Sequence, residues 1–190
     1  AIVLDVRHQD DFVKAHVPRS IFVGLDGDFA PWVGALIADT LQPILLVVPQ
    51  GREKETVTRL ARVGFDYTIG YLKGGLEAWI ADGKEYDIVS SLSAKEAMEK
   101  LSLEDLPIFD VRRESEYQAG HAVDACNTPL DCLNDHLSEF PNKGFFYVHC
   151  AGGYRSIIAA SILKSRGIHN LINVEGGYGS MQQEGMAVAE

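Results

Sequence analysis

The sequence contains two copies of one pattern, and this duplication constrains the fold more than any other feature. The copies share an Asp-Val-Arg motif, a histidine and a Gly-Gly pair, in that order. These are Asp5-Val6-Arg7, His16 and Gly74-Gly75 in the first copy, and Asp110-Val111-Arg112, His121 and Gly176-Gly177 in the second. Repetition over such a length indicates one fold used twice with small deletions in its loops. We therefore expect two domains, residues 1–86 and 87–190.

Each copy alternates short apolar segments with segments of helical pattern. In the first copy, Ile44 to Val48 is a buried strand and Glu53 to Arg62 is a helix that stops at Gly64. Pro31 is predicted to be the first residue of another helix, because the missing N–H of proline costs least there. Strands that alternate with helices indicate a parallel sheet with helices on both faces. The predicted fold class is therefore α/β for both domains.

In the second copy, an apolar strand is joined to a helix by a short loop that begins with Cys150 and ends with Arg155. We call residues 150–155 the cysteine loop. Open parallel sheets bind ligands at the carboxyl ends of their strands, where Cys150 lies. The N–H groups of a loop entering a helix are unpaired and form a nest for an anion. They favour the thiolate, which is the reactive form of cysteine, so we interpret Cys150 as a nucleophile.

The other residues around this loop are candidates for binding the substrate. Its two glycines allow positive φ and close approach to a bound group. Arg155 is expected to hold an anionic donor, because a guanidinium keeps its charge. The residues assigned to substrate binding are Ala151, Gly152, Gly153, Tyr154 and Ser156, beside the catalytic pair Cys150 and Arg155. A buried cysteine that merely ends a strand is the alternative interpretation.

The first copy lacks this site. The counterpart of Cys150 falls among Leu45 to Pro49, none of which is cysteine, and residues 49–53 replace the loop. We interpret residues 1–86 as an inactive domain used for packing or partner contact. The second copy has a helix before its Asp-Val-Arg strand, whereas Ala1 lies inside the corresponding strand. We therefore also interpret the first domain as truncated at its N-terminus.

Polar residues that recur in both copies need no catalytic role. The Asp and Arg of the Asp-Val-Arg motif are expected to form an ion pair or a loop clamp, and the shared histidines to bond backbone atoms. Ser93 is predicted to cap a helix from Ala94 to Leu101, with Glu96 completing a capping box. Cys126 and Cys132 lack the glycine loop and the flanking cation, so they are interpreted as ordinary thiols; the alternative is that either resolves an oxidised Cys150.

The cysteine loop resembles that of the rhodanese (sulfurtransferase) family. Four residues separate Cys150 from Arg155, one fewer than in the related cysteine phosphatases, and the smaller ring of amides suits one extra sulfur atom. The segments similar to the family's entry and closing motifs are Asp110-Val111-Arg112 with Glu116-Tyr117 and Gly120-His121, and Glu175-Gly176-Gly177. The resemblance implies that sulfane sulfur moves from thiosulfate or a low-molecular-weight persulfide to a thiol or cyanide, through a Cys150 persulfide.

A degenerate first copy followed by an intact second copy resembles the C-terminal part of metallo-β-lactamase-fold hydrolases fused to tandem rhodaneses. Persulfide dioxygenase-like enzymes are among them. The segments of the first copy that carry this resemblance are residues 45–49, 51–53, 59–66 and 70–75. It implies a fused or associated metallo-β-lactamase-fold domain whose metal centre lies outside this sequence. The six histidines show no zinc or iron ligand spacing, so we expect neither metal nor cofactor in this chain.

Composition excludes several kinds of partner. The net charge of −10 disfavours nucleic acids and anionic membranes, both of which require positive surface. No apolar run approaches the length of a membrane span. Three cysteines, an odd number, argue against a disulfide framework and for a reducing compartment, so we expect a cytoplasmic protein. The expected partners are a small anionic sulfur donor and a thiol or cyanide acceptor.

Three alternative functions remain open. A non-catalytic interaction module would keep its binding after the loss of Cys150. A cysteine phosphatase or an arsenate reductase would act on an aryl phosphate or on arsenate, although the loop is short for phosphate. A sulfur relay that serves only a larger metallo-hydrolase would show little activity with free thiosulfate.

Overall fold

The computed structural model describes residues 1–189 and divides into two compact units. Unit 1 is Ala1–Ile88, and unit 2 begins at Val89. Each unit contains a parallel sheet flanked by helices, which confirms the predicted α/β class. Over the described residues, none of the helices combines the length and the apolar character that a membrane crossing requires.

Unit 1 is built on a four-stranded sheet. Its strands are β1 (Ile2–Asp5), β2 (Ile21–Phe22), β3 (Ile44–Val47) and β4 (Thr68–Tyr71). Its helices are α1 (Gln9–Lys14), α2 (Phe29–Leu36), α3 (Glu53–Ala61) and α4 (Gly75–Ala81). The strand order is β2-β1-β3-β4 and all pairs are parallel. The main apolar core lies on the face of the sheet that α2 and α3 cover.

The start of α2 differs from the prediction. Asp28 is the N-cap and Phe29 is the first helical residue, so Pro31 occupies the third position rather than the first. The N–H groups of the whole first turn lack intrahelical acceptors, so a proline in the third position loses no helix hydrogen bond. The prediction that Pro31 lies in the first turn of this helix is confirmed, whereas the predicted first residue is wrong by two positions.

Unit 2 contains a five-stranded parallel sheet and a separate antiparallel pair of strands. Its strands are β5 (Ser91–Leu92), β6 (Ile108–Asp110), β7 (His121–Ala122), β8 (Cys126–Asn127), β9 (Phe146–His149), β10 (Leu171–Val174) and β11 (Val188–Ala189). Its helices are α5 (Ala94–Leu101), α6 (Glu114–Gln118), α7 (Tyr154–Ser165) and α8 (Gly177–Gln183). The parallel sheet has the order β5-β10-β9-β6-β8, and β11 pairs with β7.

Two helical features of unit 2 bear on the predictions. Ser93 and Glu96 form the predicted capping box, in which Ser93 Oγ accepts from the Glu96 N–H at 3.2 Å and a Glu96 carboxylate oxygen accepts from the Ser93 N–H at 3.0 Å. The segment Leu130–Glu139 is a 3₁₀ helix with a kink at Cys132. Helix α7 is buried from Ser156 to Lys164, so it fixes the loop that precedes it.

Strand register identifies the residue of unit 1 that corresponds to Cys150. Asp5 lies beside Val47 in β3, and its repeat partner Asp110 lies beside His149 in β9. The next residues along these strands are Val48 and Cys150. Val48 therefore stands at the position of the thiol, within the range that the sequence predicted.

Candidate active site

A buried ion pair supports the sheet edge from which the cysteine loop begins. Arg112 donates from Nε and Nη2 to the Asp110 carboxylate at 2.6–3.0 Å, and from Nη2 to the carbonyl of Gly120 at 2.9 Å. In unit 1, Arg7 makes the corresponding contacts with the Asp5 carboxylate and with the carbonyl of Ala15. The prediction of an ion pair that clamps a loop is confirmed in both copies.

The shared histidines also have structural contacts. His121 Nδ1 lies 2.9 Å from the carbonyl of Tyr117, and the two rings stack at 3.7 Å. His16 Nδ1 lies 2.8 Å from the carbonyl of Phe12, with the rings stacked at 3.9 Å. The prediction that these histidines bond the backbone is therefore confirmed.

The cysteine loop curls around the sulfur of Cys150. Sγ accepts a hydrogen bond from the Gly153 N–H at 3.1 Å and lies 3.6 Å from Ser156 Oγ. Gly153 has φ of 102° and is the N-cap of α7, so the loop turns into the helix through a conformation that glycine favours. Ser156 Oγ in turn donates to the carbonyl of Gly153 at 3.0 Å. The sulfur thus lies at the amino end of a long buried helix, which carries partial positive charge.

The predicted loop residues differ in their exposure. Cys150 is only 1% exposed, and Gly153 and Ser156 are buried. Ala151 and Tyr154 are half-buried, and Gly152 is exposed. The structure therefore brings Cys150, Gly153 and Ser156 together at the base of the loop. The base of the loop is therefore shielded from solvent, whereas its middle at Gly152 is accessible.

The N-terminus of α8 packs directly against the cysteine loop. The Tyr178 N–H donates to the carbonyl of Cys150 at 2.7 Å, and the Gly179 N–H donates to that of Ala151 at 3.1 Å. Gly177 has φ of 57°, and a Cβ at this position would lie 2.3 Å from the carbonyl oxygen of Cys150. Only glycine fits there. The sequence marked this glycine pair as a closing motif but gave no sign that it holds the loop in place.

His149 is a further buried residue beside the nucleophile that sequence reasoning did not assign. Its Nδ1 lies 3.2 Å from the carbonyl of Cys150, and its Nε2 lies 3.9 Å from an Asp110 carboxylate oxygen. Burial lowers the pKa of His149, so the imidazole is neutral near pH 7. The position of His149 immediately before Cys150 is the sequence signal that could have identified it as a site residue. The contacts indicate that it positions the loop.

Arg155 is held by a partner that sequence reasoning missed. Its Nη1 and Nη2 donate to the two carboxylate oxygens of Glu116 at 2.6 and 2.8 Å. Hydrogen bonding from Arg155 lowers the pKa of Glu116 to about 2, and the same bond raises the pKa of Arg155. Glu116 lies in the entry motif, far from Arg155 along the chain. The guanidinium is therefore positioned beside the loop as half of an ion pair.

The other cysteines have different surroundings. The Cys132 thiol donates to the carbonyl of Pro129 at 3.6 Å, and burial raises the pKa of Cys132, which favours the unreactive thiol. Cys126 lies exposed on β8. All three cysteines are free of disulfides. Only Cys150 has a helix-terminal amide directed at its sulfur among the contacts described above.

The metal expectation remains a prediction. Among residues 1–189, no group of three or more histidine, cysteine, aspartate or glutamate side chains is arranged to hold a metal ion.

Comparison with known proteins gives family matches in both units. The rhodanese-like domain family matches residues 1–82 and again residues 93–184. The tRNA sulfurtransferase of Thermoplasma acidophilum is 33% identical over 96 residues, which cover 50% of this chain and 18% of that protein. The putative sulfur carrier protein YrkF of Bacillus subtilis is 34% identical over 74 residues, 39% of this chain and 40% of that protein.

Similarity to solved structures points to the same domain. The solution structure of a rhodanese-like domain from Anabaena sp. is 26% identical, with a TM-score of 0.50, and the match covers 54% of this chain and 80% of that one. The curated relatives are matched over only part of their length, from 56% of protein YqhL of Bacillus subtilis down to 18% of the tRNA sulfurtransferase.

Proposed function

The chain belongs to the rhodanese family, and from this premise we propose that unit 2 is a sulfurtransferase that carries sulfane sulfur on Cys150. One observation carries the proposal: the Cys150 sulfur accepts the Gly153 N–H at 3.1 Å at the amino end of α7. Amides fixed in this way stabilise negative charge on sulfur without rearranging during the reaction.

In the first half-reaction, the Cys150 thiolate attacks the outer sulfur of the donor. With thiosulfate, the S–S bond of the donor breaks and sulfite leaves with the bonding electron pair. With a persulfide RSSH, a thiolate RS⁻ leaves instead. In both reactions a new S–S bond forms on Cys150, which becomes a persulfide, and no external oxidant or reductant is needed.

In the second half-reaction, an acceptor attacks the outer sulfur of the Cys150 persulfide. A thiol acceptor becomes a persulfide and cyanide becomes thiocyanate, while Cys150 returns to the thiolate. Two half-reactions through one covalent intermediate predict ping-pong kinetics. The curated relatives that are named as sulfurtransferases and a sulfur carrier support this chemistry.

The remaining site residues have distinct proposed roles. Ala151, Gly152 and Tyr154 form the outer part of the loop, past which the donor approaches. Ser156 Oγ, 3.6 Å from Sγ, is a hydrogen-bonding neighbour of the sulfur from inside the loop. Arg155 places positive charge beside the site, balanced by Glu116.

Unit 1 is proposed to be non-catalytic. Val48 stands where unit 2 has Cys150, and it is buried in an apolar core. The loop that follows contains Arg52, which bonds Asp26 and Glu55 on the surface. This arrangement favours a role in packing or partner contact. We extend the proposal to a fused or associated metallo-β-lactamase-fold domain as the source or consumer of the sulfur, on the sequence resemblance alone.

Substitution of the nucleophile tests the proposed activity. Cys150→Ser is expected to lower sulfur transfer to cyanide by about a thousandfold or more, since an alcohol cannot form the persulfide. Cys132→Ser is the matched control and is expected to retain full activity, because that thiol faces a backbone carbonyl. Normal turnover by Cys150→Ser would overturn the proposal.

A further inference from the structure

The charge of the cysteine loop depends on one ion pair. The four residues between Cys150 and Arg155 are uncharged, so Arg155 is the only charged residue in the loop sequence. Glu116 binds both terminal nitrogens of this guanidinium, at 2.6 and 2.8 Å. A bidentate pair of this geometry holds its two charges together.

The pair is partly shielded and stays ionised. The Arg155 side chain is 18% exposed and that of Glu116 is 36% exposed. Glu116 is fixed in addition by the Arg113 N–H, which donates to its Oε2 at 3.1 Å. The pKa of Glu116 near 2 keeps the carboxylate charged throughout the neutral range.

The neighbouring arginines offer little positive charge to the loop, since the charge of the exposed Arg113 is screened by solvent. Arg112, the cation of the entry motif, is buried against Asp110. Glu175 is exposed and directly precedes Gly176, whose backbone N would lie 3.4 Å from a Cβ on Gly153. The chain as a whole has a net charge of −10. The loop therefore offers amide dipoles to an anion, but no uncompensated cation of its own.

We propose that Glu116 determines donor specificity: by neutralising Arg155, it makes the cysteine loop favour alkyl persulfides over the thiosulfate dianion. This inference rests on the proposed role of Cys150 as sulfur carrier. An alkyl persulfide brings at most one negative charge to the reacting sulfur and releases a thiolate. Thiosulfate brings two charges, both of which remain on the departing sulfite.

The physical reason is the cost of removing a dianion from water. An amide such as that of Gly153 compensates a single charge on sulfur, whereas a second charge needs a cation to offset its lost hydration. An unpaired Arg155 could supply this compensating positive charge. Glu116 neutralises the charge of Arg155 and leaves the backbone of the loop unchanged.

The test is the second-order rate at which donors load sulfur onto Cys150, measured by intact mass in single-turnover samples. Thiosulfate and 2-hydroxyethyl persulfide serve as donors. Wild-type protein is expected to load faster from the persulfide. Glu116→Gln frees the charge of Arg155, so the thiosulfate rate should rise about tenfold relative to the persulfide rate. Glu114→Gln, an exposed residue in the same helix, is the matched control and should leave the donor ratio unchanged.

An unchanged or lower thiosulfate-to-persulfide ratio in Glu116→Gln would overturn the inference. A wild-type protein that loads faster from thiosulfate would overturn it as well, while leaving the proposed function intact. If neither donor loads sulfur onto wild-type Cys150, the proposed function itself fails.

A second measurement needs no variant and can overturn the inference even if Glu116→Gln does not fold. Salt screens the repulsion between thiosulfate and a protein of net charge −10, which no free cation in the loop offsets. The thiosulfate loading rate of wild-type protein should therefore rise with ionic strength. A rate that falls with added salt would reveal an attracting free cation and contradict the inference.

Discussion

Units 1 and 2 share a scaffold and differ in the loop that follows one strand. Both contain the buried Asp–Arg clamp, and in both the arginine reaches a carbonyl just before the stacked histidine. After β3, unit 1 continues with Val48 and Pro49, whereas unit 2 continues after β9 with Cys150 and the glycine loop. The clamp therefore belongs to the fold, and the chemistry belongs to a few residues at the carboxyl edge of the sheet.

The units also differ in how their sheets are covered. By strand register, Leu45 of unit 1 corresponds to Tyr147 of unit 2. Leu45 is 38% exposed, whereas Tyr147 is fully buried in a core to which α5 contributes. The outward side of β3 is thus less completely covered at Leu45 than that of β9 is at Tyr147.

The largest expected effect tests whether the clamp is structural in both units. Asp5→Asn and Asp110→Asn each leave a largely buried guanidinium without its counter-charge, so each should lower the free energy of unfolding of its own unit by about 3–5 kcal/mol. Both tryptophans, Trp32 and Trp79, lie in unit 1, so tryptophan fluorescence during denaturant unfolding follows that unit. Reactivity of the buried Cys150 thiol follows unit 2.

The claim that the clamp supports the fold of both units would be wrong if only one of these substitutions were destabilising. A stable Asp5→Asn protein beside an unstable Asp110→Asn protein would mean that the clamp serves the active site and not the shared fold.

An intermediate effect is expected at the matched glycines of the two closing motifs. Gly177→Ala places a Cβ against the backbone of Cys150, so the loop must shift, and activity should fall about a hundredfold. Gly75→Ala in unit 1 meets only the flexible end of Glu77, so the strain of its positive φ should cost unit 1 about 1 kcal/mol and leave activity unchanged.

Enzyme assays and tryptophan fluorescence on the two alanine variants separate these effects. Equal loss of activity in both variants would show that the glycine pair acts through the fold of both units instead of through the cysteine loop.

The smallest effect concerns acid stability. The pKa of Glu116 falls from an ordinary 4.5 to about 2 in the folded protein, through its bond with Arg155. Because the folded pKa is the lower one, the pair stabilises unit 2 above pH 4.5, and this stability is lost as the pH falls toward 2. Given the partial exposure of the pair, the contribution is about 1 kcal/mol.

Urea unfolding of wild-type protein and Glu116→Gln, followed by circular dichroism at each pH, measures this contribution. The difference should be present at neutral pH and vanish toward pH 2. Glu114→Gln removes an exposed carboxylate from the same helix and should leave the stability of unit 2 unchanged at neutral pH and near pH 2. A pH-independent difference for Glu116→Gln would mean that its carboxylate charge contributes nothing to folding.

Local and repeated signals made most of the architecture predictable. The Asp-Val-Arg repeat identified both the clamp and the two domains, because a residue kept in a copy without the cysteine must serve the fold. The Ser93–Glu96 capping box was readable because its contacts lie within one helical turn. The first residue of α2 could not be predicted in this way, because a proline is tolerated at every position of the first turn of a helix.

Contacts between distant segments escaped sequence reasoning. Arg155 was recognised as a cation beside Cys150, but its partner Glu116 lies in another helix, and nothing local indicates the pairing. The close contact of Gly177 with the Cys150 carbonyl likewise depends on how α8 packs against the cysteine loop. Both contacts fix the charge and the shape of the site, and both required three-dimensional information.

The most direct test of the account is to identify where sulfur resides on the protein. After exposure to a persulfide donor and removal of the excess, intact-mass spectrometry with peptide mapping should find one added sulfur atom on Cys150 alone, and cyanide or a thiol should remove it. Sulfur on Cys126 or Cys132, or none on any cysteine, would contradict the assignment of the cysteine loop as a sulfur carrier.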